Sequence, residues 1–311
     1  MKSSTKRIAQ EALIFWLRPY IERELPKWGT IYRALVGTPR TDTFWQDAGS
    51  RKVSNKWFGF ETTSDLSNWT DRSTFFLRRW YDLPSQLLIH SAAGRGGVVV
   101  DVGANRGDFT LAAAAIVGPQ GKVISFEPNP HMAAILRHDI YVNQFANVQV
   151  CQAGLADEKT VLSLQVPVVS SGGGTFGLLE IPNDPIANVA VEIGDDVIGD
   201  IRPDLIKTDV EGFEVKVIRG LRQTIELSRP VILTEVLEDT LRRCGSTREE
   251  LFSLMTSLNY RGFGVGTQRT RGRQKLILGD MYSADDVVWV HSSRDPGELC
   301  ADSGDLAAYA A

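Results

Sequence analysis

The chain has 311 residues, of which 43% are hydrophobic and 23% charged, and its formal net charge is −4. That length suits one large α/β domain plus an extension, and the ordinary balance excludes a disordered or coiled-coil chain. No basic excess marks a nucleic-acid binder. Cys151, Cys244 and Cys300 are too scattered for a disulfide framework or a zinc motif, which fits a reducing, cytoplasmic setting.

Residues 1–94 read as an aromatic-rich, helical extension holding six of the seven tryptophans. The apolar run Ala12–Leu17 is six residues long and ends at Arg18-Pro19, shorter than a signal-peptide core and far short of a transmembrane segment. The amphipathic stretch Glu11–Leu25 is expected to pack on the body of the protein, with a membrane surface as the alternative. From residue 95 to 295 the pattern becomes strand, turn, helix, repeated. Val98–Val100, Lys122–Phe126 and Val148–Gln152 read as strands, with helices at Phe109–Val117 and Pro130–Phe145 between them. Thr160–Val166 alternates like an edge segment, and Ser170–Gly177 is a Ser/Gly loop. Strand Leu205–Asp209, helix Val215–Leu227, strand Val231–Val236, helix Glu249–Leu258 and strands Tyr260–Gly266 and Val287–His291 follow. The basic piece Arg269–Lys275 reads as a solvated loop, and residues 296–311 as a frayed tail. Strands separated by helices predict a doubly wound α/β fold, a mostly parallel sheet covered on both faces.

The first strand runs into Asp101-Val102-Gly103-Ala104-Asn105-Arg106-Gly107 and then a helix. Glycine lets the backbone approach a ligand closely, and the exposed N–H groups of a helix start receive its polar end. The spacing is G-x-x-x-G, not the G-x-G-x-x-G of a pyrophosphate loop. A carboxylate two residues before the first glycine would repel a pyrophosphate but suits the ammonium and sulfonium of S-adenosylmethionine. The next strand ends at Glu127-Pro128, about 20 residues beyond the loop, where an acid receives ribose hydroxyls in such folds. The plainer role for Glu127 is a charge favoured by a helix N-terminus.

These residues carry a resemblance. Asp101–Thr110, then Phe126-Glu-Pro-Asn-Pro130, then Pro203-Asp-Leu-Ile-Lys-Thr-Asp-Val-Glu-Gly-Phe-Glu214 look like the FkbM-family methyltransferases. Thr208 stands where the family usually has isoleucine. The resemblance implies a class I methyltransferase (Rossmann-like) fold with an antiparallel last strand, S-adenosylmethionine as methyl donor, and a hydroxyl acceptor on a small molecule, natural product or sugar. The candidate donor-binding set is Asp101, Gly103, Ala104, Asn105, Gly107, Thr110, Glu127, Pro128, Asn129 and Leu155. The adenine is expected near Ala153–Leu155, with Asp157 either accepting from its amino group or facing solvent. His131 either caps the turn after Glu127 or lines the adenosine.

In strand Leu205–Asp209, Leu205, Lys207 and Asp209 point to one face. Asp209, Glu211 and Glu235 then meet at the carboxyl edge of the sheet. Three readings account for them: salt bridges to Lys207 or an arginine, a general base drawn from Asp209 or Glu211, or a divalent metal, Mg or Mn, held by Asp209, Glu211 and Glu235. Two rival functions remain at this stage, an NAD-dependent oxidoreductase and a non-catalytic binding module. The expected partner is a small-molecule or glycan acceptor, without nucleic acid or a transmembrane segment. Oligomeric state has no signal in the sequence.

Overall fold

The computed structural model describes residues 3–37, 41–165 and 186–310. The expected Ser170–Gly177 loop lies outside them. The chain divides into two compact units, residues 1–83 with 308–311, and residues 84–307.

The first unit contains α1 (Ser3–Glu22), α2 (Trp28–Leu35), α3 (Asp42–Trp45), β1 (Ser50–Ser54), β2 (Glu61–Asp65) and α4 (Trp69–Leu77). Strands β1 and β2 pair antiparallel, a feature the aromatic richness of this segment concealed. The core is aromatic: Trp45 and Phe76 are fully buried and meet edge to face, 5.8 Å between ring centroids. Arg72 is buried beside them and donates to the carbonyls of Val36 and Leu66 and to Asp42. Asn68 caps α4 by accepting from Thr70 N–H.

The second unit starts inside α5 (Leu83–Ala92) and runs β3 (Val98–Val102), α6 (Asp108–Val117), β4 (Lys122–Phe126), α7 (Pro130–Val142), β5 (Val148–Cys151), β6 (Gly154–Ala156), β7 (Thr160–Gln165), β8 (Ile186–Ile193), α8 (Gly194–Ile198), β9 (Leu205–Thr208), α9 (Glu214–Gly220), α10 (Arg222–Ser228), β10 (Val231–Glu235), α11 (Glu238–Arg243), α12 (Arg248–Ser257), β11 (Tyr260–Thr270), β12 (Arg273–Gly279), β13 (Asp286–His291) and α13 (Ser303–Ala307). Eight strands form one sheet in the order β12-β11-β13-β10-β9-β3-β4-β5. Strands β5, β4, β3, β9 and β10 are mutually parallel, and the last strand, β13, is antiparallel to β10. This is the doubly wound, Rossmann-like arrangement that the sequence predicted, with the order reversing between β3 and β9. Valine and isoleucine fill the central strands because helices cover both faces.

Several boundaries differ from the sequence reading, each for a long-range reason. The division falls at Leu83 rather than residue 94, and α5 buries Leu87, Leu88 and Ile89. The expected frayed tail is ordered through α13: Leu299, Ala301 and Leu306 are buried, and Leu276 N–H bonds the Ala301 carbonyl. Residues 269–275 are not a plain loop but the β11–β12 hairpin, turning at Arg271-Gly272. The single helix expected over 215–227 is two, α9 and α10, breaking after Gly220. A Cβ at Gly220 would lie 1.9 Å from the Ala156 carbonyl oxygen, so the helix presses its backbone on β6 there. Strands β6, β8 and β7 form a separate three-stranded sheet. Among the described residues no helix is long and apolar enough to cross a membrane.

Candidate functional site

Where the strand order reverses, the carboxyl ends of parallel strands splay and leave a crevice. A cavity of about 590 Å³, its mouth included, opens there. The ends of β3, β4 and β9 form it: Val102 and Gly103, Phe126 to Pro128, and Asp209 to Glu211. Ala153, Gly154 and Leu155 close one side, with Leu164 and Phe213. Leu155 belongs to β6 rather than to a loop, which fixes its side chain inward at 2% exposure.

The glycine turn is built by two close approaches. Gly103 has φ +81°, and a Cβ there would fall 1.9 Å from the Asp209 carbonyl oxygen. Gly107 has φ +102°, starts α6, and a Cβ would meet Leu136 at 2.3 Å. Asn105 takes a left-handed conformation between them, φ 52°. The Gly103 and Ala104 N–H groups both donate to the Phe126 carbonyl, lashing the turn to the end of β4.

Glu127 sits at that end, 3% exposed, on the cavity wall. Its Oε2 accepts from Asn105 N–H at 2.6 Å and its Oε1 from Asn129 N–H at 2.8 Å. Burial pushes its carboxyl up to about 7, although both backbone donors pull the other way. Two oxygens, each fixed by one donor and each with a remaining lone pair, form a receptor for two adjacent hydroxyls. The residues present therefore fit the ribose of an adenosine-type cofactor, and the apolar side formed by Leu155, Leu164 and Phe213 suits its base.

Asp101 and Thr110 stand elsewhere than the sequence suggested. Both are fully buried behind the turn and neither lines the cavity. Thr110 Oγ1 donates to Asp101 Oδ2 at 2.6 Å, and Asp101 Oδ1 lies 3.4 Å from Lys207 Nζ. Asp101 thus faces the interior cation, not a ligand ammonium. Ala104 and Gly107 shape the turn, and Asn129 caps α7 by accepting from His131 N–H; none of the three is on the wall. Asp157 is exposed and also off the wall, as is His131. Asn105 and Pro128 do line it.

Lys207 explains much of the acid cluster. Its ammonium lies 3.2 Å from Asp209 Oδ2 and 3.4 Å from Asp101 Oδ1, and donates to the Gly103 carbonyl at 3.1 Å. Burial opposes the charge, but the two carboxylates outweigh it and raise the lysine above its ordinary range. Asp209 and Glu211 line the cavity together. Glu211, at φ 54°, has its carboxyl raised by burial and by Asp209. Glu235 ends β10 off the wall, and burial together with Asp209 and Glu211 pushes it up to about 9. Among the described residues no three His, Cys, Asp or Glu side chains are placed to hold a metal ion. Asp209, Glu211 and Glu235 are thus near neighbours in charge but not gathered as the expected ligand set.

Glu214 is a residue the sequence reading quoted without assigning. It is 1% exposed, and its Oε1 accepts from Val210 and Gly212 N–H, holding the turn that presents Asp209 and Glu211. An acid in the first turn of a helix was the available signal. Phe213 and Val210 were missed as wall residues because nothing local in the sequence marks a side chain that faces a cavity.

Comparison with known proteins gives the family. The model of the methyltransferase FkbM domain matches residues 101–262. Methyltransferase 1 of Beauveria bassiana (strain ARSEF 2860) is 26% identical over 192 residues, 55% of this chain and 74% of that protein. Among solved structures, the FkbM methyltransferase from Methylobacillus flagellatus KT is 16% identical, with a TM-score of 0.38, covering 87% of this chain and 62% of that one. An O-methyltransferase from Bacillus cereus in complex with S-adenosylhomocysteine is 14% identical, with a TM-score of 0.39, covering 67% of this chain and 79% of that one. The family match, spanning over half of the chain, displaces the oxidoreductase and non-catalytic readings: the protein belongs to the FkbM methyltransferase family and is a methyl-transferring enzyme.

Proposed function

We propose that the chain methylates a hydroxyl of a small, polyhydroxylated acceptor, such as a sugar or glycosylated natural product, with S-adenosylmethionine as donor. The observation that carries the donor is Glu127, whose two oxygens are each fixed by a backbone N–H on the wall of the cavity at the strand-order switch. S-adenosylmethionine supplies an electrophilic methyl on a sulfonium, so the protein must mainly align the acceptor and remove a proton. Asp209 and Glu211 are hydrogen-bond acceptors at the mouth, which suits an acceptor rich in hydroxyl donors. Asp209, held by Lys207, orients the acceptor. Glu211, whose carboxyl is raised by burial, would take the hydroxyl proton as the C–O bond forms and the methyl–sulfur bond breaks, with S-adenosylhomocysteine leaving.

The test is direct. Calorimetry with S-adenosylhomocysteine should give saturable one-site binding, and incubation with S-adenosylmethionine and a panel of sugars and glycosides should give products one methylene heavier. Absence of S-adenosylhomocysteine binding refutes the donor assignment. Methylation of amines or thiols but of no hydroxyl refutes the acceptor assignment.

A further inference from the structure

Helix α1 has two apolar faces. One, with Leu13, Ile14, Leu17 and Ile21, packs into the aromatic core of the first unit. The other is open: Ile8 and Phe15 are each 70% exposed and Trp16 is 74% exposed. With exposed Ala12 and Pro19, these residues share one arc of the helix, because steps of three, four and seven return to the same side. Among the described residues the Phe15 and Trp16 rings meet only each other, edge to face at 5.1 Å.

The segment that carries the strip has one sign of charge left over. Residues 1–37 hold seven Lys and Arg against three Glu, in a chain whose net charge is −4. All three acids are paired: Glu11 with Arg51, Glu22 with Arg78, and Glu24 with Lys56 and Arg79. Arg7, Arg23, Lys27 and Arg33 are exposed and have no ion-pair partner among the described residues.

We propose that α1 docks this protein on an anionic lipid bilayer, lying flat with Ile8, Phe15 and Trp16 in the headgroup region and the unpaired cations against lipid phosphates and carboxylates. An exposed strip of aromatic and aliphatic residues on a helix, in a segment with a surplus of exposed cations, has this behaviour. The indole of Trp16 suits a boundary that is apolar on one side and wet on the other. A second copy of the chain is a poorer occupant. The strip from Ile8 to Pro19 is about 17 Å long on a helix roughly 10 Å across, on the order of 200 Å² of face. A stable interface takes about 800 Å² per partner. The inference stands apart from the donor and acceptor assignments.

The experiment is co-sedimentation of the full chain with sucrose-loaded vesicles, phosphatidylserine in phosphatidylcholine against phosphatidylcholine alone. Binding is expected to the former, falling as salt rises. The double variant F15Q/W16Q should bind about tenfold or more weakly, and R7Q/R23Q/K27Q should lose about fivefold per cation removed. All these side chains are exposed, so thermal unfolding by circular dichroism should be unchanged. No binding of the wild-type chain to phosphatidylserine vesicles overturns the proposal, as does undiminished binding by F15Q/W16Q. A wild-type dimer in sedimentation equilibrium that F15Q/W16Q abolishes, without vesicle binding by either, assigns the strip to self-association and equally overturns it.

Discussion

Glu127 should make cofactor affinity depend on pH in a way that identifies it. Burial pushes its carboxyl up to about 7. Ribose hydroxyls donate to a carboxylate, so the ionised form is the one that binds. Well below pH 7 the carboxyl is protonated and binding must expel that proton, so each unit of pH lowered costs about tenfold, or about 1.4 kcal/mol. Above pH 7 the affinity should level off. Glu127→Gln keeps the size but presents one amide NH2 where Asn105 or Asn129 N–H now finds an acceptor. Two charge-assisted bonds to the ligand at about 1.5–3 kcal/mol each put the loss at roughly 10²–10⁴-fold, and the pH dependence should vanish with the carboxyl. Calorimetry with S-adenosylhomocysteine across this range, repeated in buffers of different ionisation enthalpy, reads both affinity and the proton released. A dissociation constant flat through pH 7 in the wild type, or a Gln variant that binds within a factor of about three of it, would refute the reasoning.

Three further outcomes are expected. Lys207→Met leaves Asp101 buried without its cation and should destabilise the protein by about 3–5 kcal/mol in urea unfolding, with partial recovery in the double variant Lys207→Met/Asp101→Asn; additive losses would deny the pairing. Glu211→Gln should lower kcat by about 10²–10⁴-fold while S-adenosylhomocysteine affinity stays near wild type; retained turnover removes it as the proton acceptor. Glu235 is pushed from an unfolded value of about 4.5 up to about 9. The folded state holds that proton more tightly, so its contribution to stability is lost as pH rises through that window. Glu235→Gln should therefore change little near pH 4.5 and gain about 1–3 kcal/mol at the alkaline end, read from melting curves; a gain that shrinks with rising pH contradicts the assignment.

The sheet was legible where local pattern decides it. Val98–Val102 and Lys122–Phe126 are short, β-branched and bounded by glycine or proline, and they fold as strands ending at the site. The face-sharing of Lys207 and Asp209, read from a period of two, is borne out by their ion pair. What failed depends on register. Asp101 looked like a ligand for a cationic cofactor because it precedes a glycine turn. Parallel pairing of β3 with β9 instead sets Asp101 directly beside Lys207, more than a hundred residues away in sequence. Leu155 does line the cavity as expected, and its inward orientation comes from β6 pairing with β8. Thr208, the departure from the family's usual isoleucine, is fully buried, and its hydroxyl has no hydrogen-bond partner among the described residues.

The acids of the site divide by how they are held. Lys207 is placed beneath the turn, not at the mouth, where it ties together the Asp101 carboxylate on β3, the Gly103 carbonyl in the turn and the Asp209 carboxylate after β9. Gly103 permits this, since any side chain there would strike the Asp209 carbonyl. One cation thus ties together the two strands that flank the switch point and holds Asp209 in position. Among the described residues Glu211 has no such partner: burial and Asp209 raise it, with Arg243 opposing. A carboxylate fixed by an ammonium is a good anchor for a hydroxyl. One whose proton affinity is raised by burial and a neighbouring anion suits a proton acceptor. Under the proposed function, these two residues of one turn would share the work, Asp209 orienting the acceptor and Glu211 taking its proton. Glu214 makes the pair rigid, because its buried carboxyl binds the backbone N–H groups on either side of Glu211.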